Sequence, residues 1–430
     1  MKYLIKGGRV IDPSNKTDGI FDILTIENKV SDISKNIQAK DAKVINASGL
    51  IVAPGLVDMH VHLREPGRED EETVLSGTRA AAKGGFASVA CMPNTEPALD
   101  SVKALKLLKG IIVKDAIVNV FPVGAITIGR LGKELADIRA LAKEGVVAIS
   151  DDGSSVEDAG LMLRALKSAK SAGLVVIGHC EDIALSDKGV MNKGYMSTKM
   201  GLRGIPKESE YKRIGRDIAL AEKAGARIHI AHVSCKESVE IIRKAKKRGV
   251  GVTCETAPHY FALMDECCAT YDTNMKMNPP LRTAEDVAAI KSGLADGTID
   301  VIASDHAPHT DSEKDVEFDF APFGKIGLES SLGVSVLELI KAKVIDWPCL
   351  IEKFTANPAR ILSLKTGTLK RGAVADITII DPNKEYSVMR ETLESKSRNS
   401  PFVGWGLAGK ACYVFVAGKP VLSDGKVVLK

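Results

Sequence analysis

The chain has 430 residues, 45% of them hydrophobic and 27% charged, and its acidic and basic residues are interspersed to a formal net charge of +4. That length excludes one small core and suits a barrel of roughly 250 residues or more with an accessory domain. The charge pattern excludes a nucleic-acid footprint, which needs a basic patch or stripe, and no apolar run reaches the length of a membrane span.

The N-terminal segment MKYLIKGGRVIDP lacks the apolar core and cleavage site of a signal peptide, so a cytoplasmic protein is expected. Residues 1–52 then read as short strands, YLIKGGRVI, FDILTIENKV and KVINASGLIVAP, punctuated by Gly, Asn and Asp. The same texture returns over residues 365–430 with DITIID, YVFVAG and KPVLSDGKVVLK. The two ends are expected to pair into one small β-sandwich-like domain that the chain leaves and re-enters.

Residues 53–364 alternate apolar strands with Ala-, Lys- and Leu-rich helical stretches. Eight strands are expected: GLVDMHVHL, GFASVACMP, IVNVFPVGAI, VVAISDDG, LVVIGHCE, RIHIAHVS, GVTCETAPHY and IDVIASDHAP. Repeats of this kind, with nearly continuous apolar strands, predict an α/β fold, a TIM-like (β/α)8 barrel. Nearly every strand carries its His, Asp, Asn or Glu at the carboxyl end, the face where such barrels place their active sites. A doubly wound open sheet would not converge polar groups from five strands so naturally, and no GxGxxG or GxxxxGK[ST] motif marks a nucleotide site. The eight cysteines include no CxxC pair and read as reduced, several of them in the core.

The strongest local feature is Asp58-Met59-His60-Val61-His62 at the end of the first barrel strand. Residues two apart on a strand face one way, so His60 and His62 point at a common spot, a ready site for a divalent ion. An isolated HxH is read just as well as two polar strand ends bonded to loops. This pair has company: Asp151 and Asp152 end the fourth strand, His179 the fifth, His232 the sixth and Asp305 the eighth. So many imidazoles and carboxylates in a dry barrel mouth carry heavy desolvation costs unless a cation organises them. Six ligands exceed the needs of one tetrahedral zinc and fit two ions sharing a bridging carboxylate.

The HxH strand, the later strand-end histidines, the last-strand aspartate and the stretch GTLKRGAVADITIID (367–381) resemble the amidohydrolase superfamily along essentially the whole chain. Within it, His62-Leu63-Arg64-Glu65-Pro66-Gly67, Met92-Pro93-Asn94-Thr95, Ser304-Asp305-His306-Ala307-Pro308-His309 and Ala321-Pro322-Phe323-Gly324 resemble the motifs of class I dihydroorotases. The resemblance implies Zn2+, two per subunit: His60, His62 and Asp305 at the first ion, His179 and His232 at the second, Asp152 between them. It implies substrate contacts from His62, Arg64, Asn94, Asn278, His309, Phe323 and Gly324. Hydantoinases and dihydropyrimidinases carry a carboxylated lysine at the end of the fourth strand; here that strand ends Ile149-Ser150-Asp151-Asp152-Gly153. An aspartate is shorter, so a labile second ion is compatible with it, and a local bulge would exchange Asp151 for Asp152.

The implied reaction is the reversible cyclisation of N-carbamoyl-L-aspartate to dihydroorotate and water in pyrimidine synthesis, with Asp305 as general acid and base, or as metal ligand only. Arg64 and Asn94 suit a substrate carboxylate, and Arg64 shares the inward face if the first strand continues that far. His306 is read as a supporting residue, and residues 310–320, acidic and without clear periodicity, as a lid or an ordinary connection. The alternatives are another cyclic amidohydrolase, of allantoinase or hydantoinase type, or a non-catalytic barrel scaffold. A small-molecule substrate is expected, with no nucleic-acid or membrane partner; a homodimer and association with aspartate transcarbamoylase are left open.

Overall fold

In the computed structural model, which describes residues 1–428, the apolar runs of the chain's middle form short parallel strands. They are Leu56–Val61, Phe86–Cys91, Asn119–Gly124, Ala148–Ser150, Val176–Gly178, Ile228–Ile230, Val252–Thr256 and Val301–Ile302. Among the described residues they pair in chain order into one eight-stranded sheet. Val61 bridges His306 in parallel, and the His62 N–H donates to the His306 carbonyl at 2.8 Å, which closes the barrel. Leu56–Val61 and Phe86–Cys91 are buried at every position, because helices cover the outside while side chains fill the inside.

Local chemistry sets where those helices start and stop. Helix Val74–Gly84 opens on a reciprocal cap between Thr73 and Ser76. It stops at Gly85, whose φ of 98° costs an L side chain dearly. Gly84 lets the helix approach the loop below it, since a Cβ there would lie 2.1 Å from the Leu328 carbonyl oxygen. Helix Lys236–Lys247 buries Val239, Ile242 and Ala245 on one face and sets Lys244, Lys246 and Lys247 at its C-terminal end, where cations are favoured.

The two chain ends meet in a second sheet, of nine strands among the described residues. Ile51–Pro54 pairs antiparallel with the start of Ile377–Ser387, Pro54 opposite Ile377 and Ile51 opposite Ile380. On one side follow Lys2–Asp12, Thr17–Ile26 and Lys29–Ser34, with Lys43–Asn46 pairing parallel to Lys2–Asp12, and on the other Gly406–Val416, Lys419–Ser423 and Lys426–Val427. Its core holds Tyr3, Ile5, Val10, Ile377 and Phe415, with the Tyr3 and Phe415 rings edge to face at 5.1 Å. Residues 429–430, the end of the expected KPVLSDGKVVLK segment, lie outside the described residues.

The eight cysteines are free, and Cys91, Cys180, Cys235, Cys254 and Cys268 are buried. No helix among the described residues is long and apolar enough to cross a membrane.

Candidate active site

At the carboxyl ends of the barrel strands the imidazoles of His60, His62, His179 and His232 surround Asp152. Its Oδ1 lies 3.3 Å from His60 Nε2, 3.6 Å from His232 Nε2 and 3.7 Å from His179 Nδ1. Its Oδ2 lies 3.4 Å from His62 Nε2. Asp305 Oδ1 stands 3.5 Å from His62 Nε2 and 3.7 Å from His60 Nε2. The structure therefore brings together all six residues expected as ligands. Of the adjacent aspartates it is Asp152 that turns inward. Asp151 faces away, its Oδ1 accepting from the backbone N–H of Ile126 at 2.8 Å and of Thr127 at 3.0 Å, its Oδ2 from the Thr127 hydroxyl.

His179 Nδ1 and His232 Nε2 meet at 2.8 Å, but other inner atoms of the cluster have no such partner. His60 Nε2 and Asp152 Oδ1 are buried and make no hydrogen bond, an arrangement that costs about 1–3 kcal/mol per group unless something binds there. Ligand atoms of His60, His62 and Asp305 lie within 4.8 Å of one another, and so do those of His60, Asp152 and His232. The outer ring nitrogens of His60, His62 and His179 are already engaged, as metal-binding histidines require, while His232 Nδ1 is buried without a hydrogen bond. His60 Nδ1 is 2.5 Å from Glu255 Oε1, His62 Nδ1 is 2.7 Å from Asn94 Oδ1, and His179 Nε2 is 3.3 Å from Glu181 Oε2.

Electrostatics reinforce the geometry. Burial works to raise the pKa of Asp152, but the charge of His60 and the close-set imidazoles of His179 and His232 hold it well below the carboxylate range. Asp305 behaves alike: burial is outweighed by the bond from His62 and the fields of His60 and His232. A bound cation would supply the same field in place of the imidazole charges. One step deeper, burial pushes Asp58 up to about 6 against the N–H groups of Ser304 and His60.

The cluster opens into a cavity of about 380 Å³ lined by His62, Arg64, Asn94, Asn278, His309, Phe323 and Gly324, the expected substrate contacts. Arg64 arrives differently from the expectation. The first strand ends at Val61, so Arg64 does not continue its inward face; a left-handed turn, φ 61°, delivers the side chain instead. Its Nε lies 2.8 Å from Glu71 Oε2 and its Nη2 3.3 Å from His309 Nε2. His309 turns Nδ1 to Glu71 at 3.0 Å and Nε2 to the Phe323 carbonyl at 2.9 Å. Asn278 donates to Glu181 at 2.9 Å. His306 stays outside the cavity, with Nε2 3.2 Å from Glu72 and Nδ1 accepting from the Gly327 N–H.

The loop after the eighth strand is more ordered than its lack of periodicity predicts. It holds a helix, Asp311–Lys314, capped by Thr310 and Glu313. Lys314 Nζ donates to the carbonyls of Pro322 at 2.8 Å and Gly324 at 3.1 Å, and Lys276 Nζ to those of Phe318 at 2.7 Å and Asp319 at 2.9 Å. These bonds tie the segment down beside Pro322, Phe323 and Gly324, which line the cavity.

Several supporting residues went unmarked by sequence reasoning. Glu255, whose second oxygen meets His229 Nε2 at 3.2 Å, stands inside an apolar strand run. Glu71 holds both Arg64 and His309. Asn399, from the C-terminal segment, accepts from His309 N–H at 3.2 Å and donates to the carbonyls of Ala307 and Gly324. The apolar strand pattern hid Glu255, and no local signal links residue 399 to residue 309.

A closed parallel barrel whose strand ends gather four imidazoles and two carboxylates, with a sheet built from both chain ends, defines the amidohydrolase class. The chain is similar over its whole length to the L-hydantoinase (dihydropyrimidinase) from Arthrobacter aurescens, with TM-score 0.91 and 26% identity over 100% of this chain and 97% of that one. Residues 49–238 match the dihydro-orotase-like family. The dihydroorotase of Geotalea daltonii is 56% identical over 98% of this chain and 99% of its own length. That of Citrifermentans bemidjiense is 54% identical over the same shares. The chain belongs to the dihydroorotase family.

Proposed function

We propose that this enzyme interconverts N-carbamoyl-L-aspartate and dihydroorotate in pyrimidine synthesis. The observation that carries the reading is one cavity with a cation-fitting His/Asp cluster on one wall and Arg64 beside His309 on another. A cyclic amide that bears a carboxylate needs both walls. Arg64 and the Asn94 amide, whose Oδ1 is occupied by His62 and whose N–H groups are left for the ligand, take the substrate carboxylate. Asn278 and the backbone of Phe323 and Gly324 hold the ring's remaining polar edge.

The bound groups we propose are two zinc ions, since imidazole and carboxylate donors suit zinc. His60, His62 and Asp305 would hold the first, His179 and His232 the second, with Asp152 between them and the second site the more labile. When bound, such ions activate water at neutral pH and polarise the scissile carbonyl. Asp305 takes the proton of the attacking water and returns it to the ring nitrogen as the amide bond breaks; in the cyclising direction it runs the same path backwards. Pro322, Phe323 and Gly324, tied down by Lys314, line the cavity in which that transfer takes place.

Dihydroorotate is favoured over hydantoin and allantoin by Arg64, and by Asp152 standing where the hydantoinase-type enzymes carry a carboxylated lysine. Parallel turnover assays on the three compounds test this. Dihydroorotate is expected to be the preferred substrate by kcat/KM, and preference for hydantoin or allantoin would overturn the assignment.

A further inference from the structure

Lys325 is a buried cation that the reaction above does not use. Only 1% of it is exposed, and its Nζ donates to the Ser304 carbonyl at 2.5 Å. Gly327 is shaped around that contact: a Cβ there would lie 2.3 Å from Lys325 Nζ and 2.8 Å from the Ser304 oxygen. Lysine is almost never fully buried without a partner, and an apolar side chain would pack this space at lower desolvation cost. The ammonium therefore serves something other than packing.

The residue after that carbonyl is Asp305, whose backbone sits at φ 48°. A residue with a Cβ is strained in this left-handed region and stays there only when its surroundings force it. Ser304 supplies the force because it is held from both sides. Its N–H donates to Asp58 Oδ2 at 3.0 Å, and its carbonyl accepts from Lys325. A fixed Ser304 carbonyl fixes the peptide plane from which the Asp305 turn begins. Downstream the chain is tied again to the same lysine, whose own carbonyl accepts from the Ala307 N–H at 2.8 Å.

We infer that Lys325 is a positioning residue for Asp305: by pinning the Ser304 carbonyl, its ammonium holds the left-handed turn that aims the Asp305 carboxylate at His60 and His62. The inference rests on the proposed role of Asp305 in proton transfer. It places a determinant of catalysis outside the lining of the cavity.

The test is Lys325→Met, which keeps an apolar side chain and removes the ammonium. At full metal content by elemental analysis, kcat on dihydroorotate is expected to fall about 10- to 100-fold while KM moves less than about twofold, the mark of a misaimed base. The visible absorption of the cobalt-substituted variant is expected to shift, because Asp305 is a proposed ligand. A variant with wild-type kcat and an unchanged cobalt spectrum overturns the inference even if it melts at lower temperature. A wild-type enzyme inactive on dihydroorotate would count against the proposed function alone, and the cobalt spectrum would still decide the role of Lys325. If Lys325→Met does not fold, Lys325→Arg carries the same readings: its larger head cannot keep the Nζ position against Gly327, so kcat is expected to fall with charge retained. Unchanged kcat and spectrum there overturn the inference too.

Discussion

Glu255 Oε1 and His60 Nδ1 lie 2.5 Å apart inside the barrel, with both side chains at most 1% exposed. Burial alone would raise the Glu255 pKa, but the charge of His60 and the bond from His229 bring it down to about 2. The carboxylate is thus ionised and fixes His60 with Nε2 facing the cluster. Glu255→Gln should weaken metal binding by about 10- to 100-fold, the usual effect of losing such a partner. Competition with a chromophoric chelator reads this directly; unaltered affinity would mean that Glu255 only fills the barrel.

The two adjacent aspartates should separate cleanly. Asp152→Asn should lower bound metal per subunit and activity together, because it removes the charge facing four imidazoles. Asp151→Asn should leave metal content unchanged and cost about 1–3 kcal/mol of stability, through the N–H and hydroxyl bonds it weakens. Elemental analysis and denaturant melts of both variants check the pair. Metal lost from the Asp151 variant alone would reverse the assignment.

Much of this site could be read in the sequence, because a polar residue closing an apolar run marks a strand end and strand ends of a barrel converge. His60, His62, His179, His232 and Asp305 all carried that signal. The choice between Asp151 and Asp152 did not: the strand stops at Ser150, so alternation gives no parity beyond it. Arg64 reached the cavity through a turn and not through the strand expected to carry it. Glu255 and His229 look like interruptions of buried strands until the barrel sets them side by side. Lys325 and Asn399 act through backbone carbonyls of distant segments, contacts that leave no spacing to find.

Arg64→Met should raise KM for dihydroorotate with metal content unchanged. Charge-assisted hydrogen bonds contribute about 1.5–3 kcal/mol, which corresponds to a loss of roughly 10- to 150-fold in kcat/KM. Steady-state kinetics on metal-replete protein measure it. A KM within error of wild type would remove Arg64 from the substrate's carboxylate.

Away from the site, Glu329 sits beneath the C-terminal segment, with Oε1 accepting the N–H groups of Glu394 at 2.9 Å and Ser395 at 3.1 Å. Burial pushes its carboxyl up to about 7. The folded chain keeps this proton where the unfolded chain, with an ordinary carboxyl, has released it. Its contribution to stability is therefore fully present below the unfolded value and is lost as pH rises through about 7. Glu329→Gln should melt higher than wild type at pH values above that point and close to it in mild acid. Identical pH profiles for the two proteins would contradict this account of Glu329.

Cation-dependent hydrolysis of the cyclic amide dihydroorotate is open to one direct assay. Dihydroorotate hydrolysis by the purified protein is measured as isolated, after exhaustive chelation, and after zinc is restored. Activity is expected to disappear on chelation and to return with zinc. A folded, metal-replete protein inactive on dihydroorotate in both directions, or one whose activity survives full removal of metal, would contradict it.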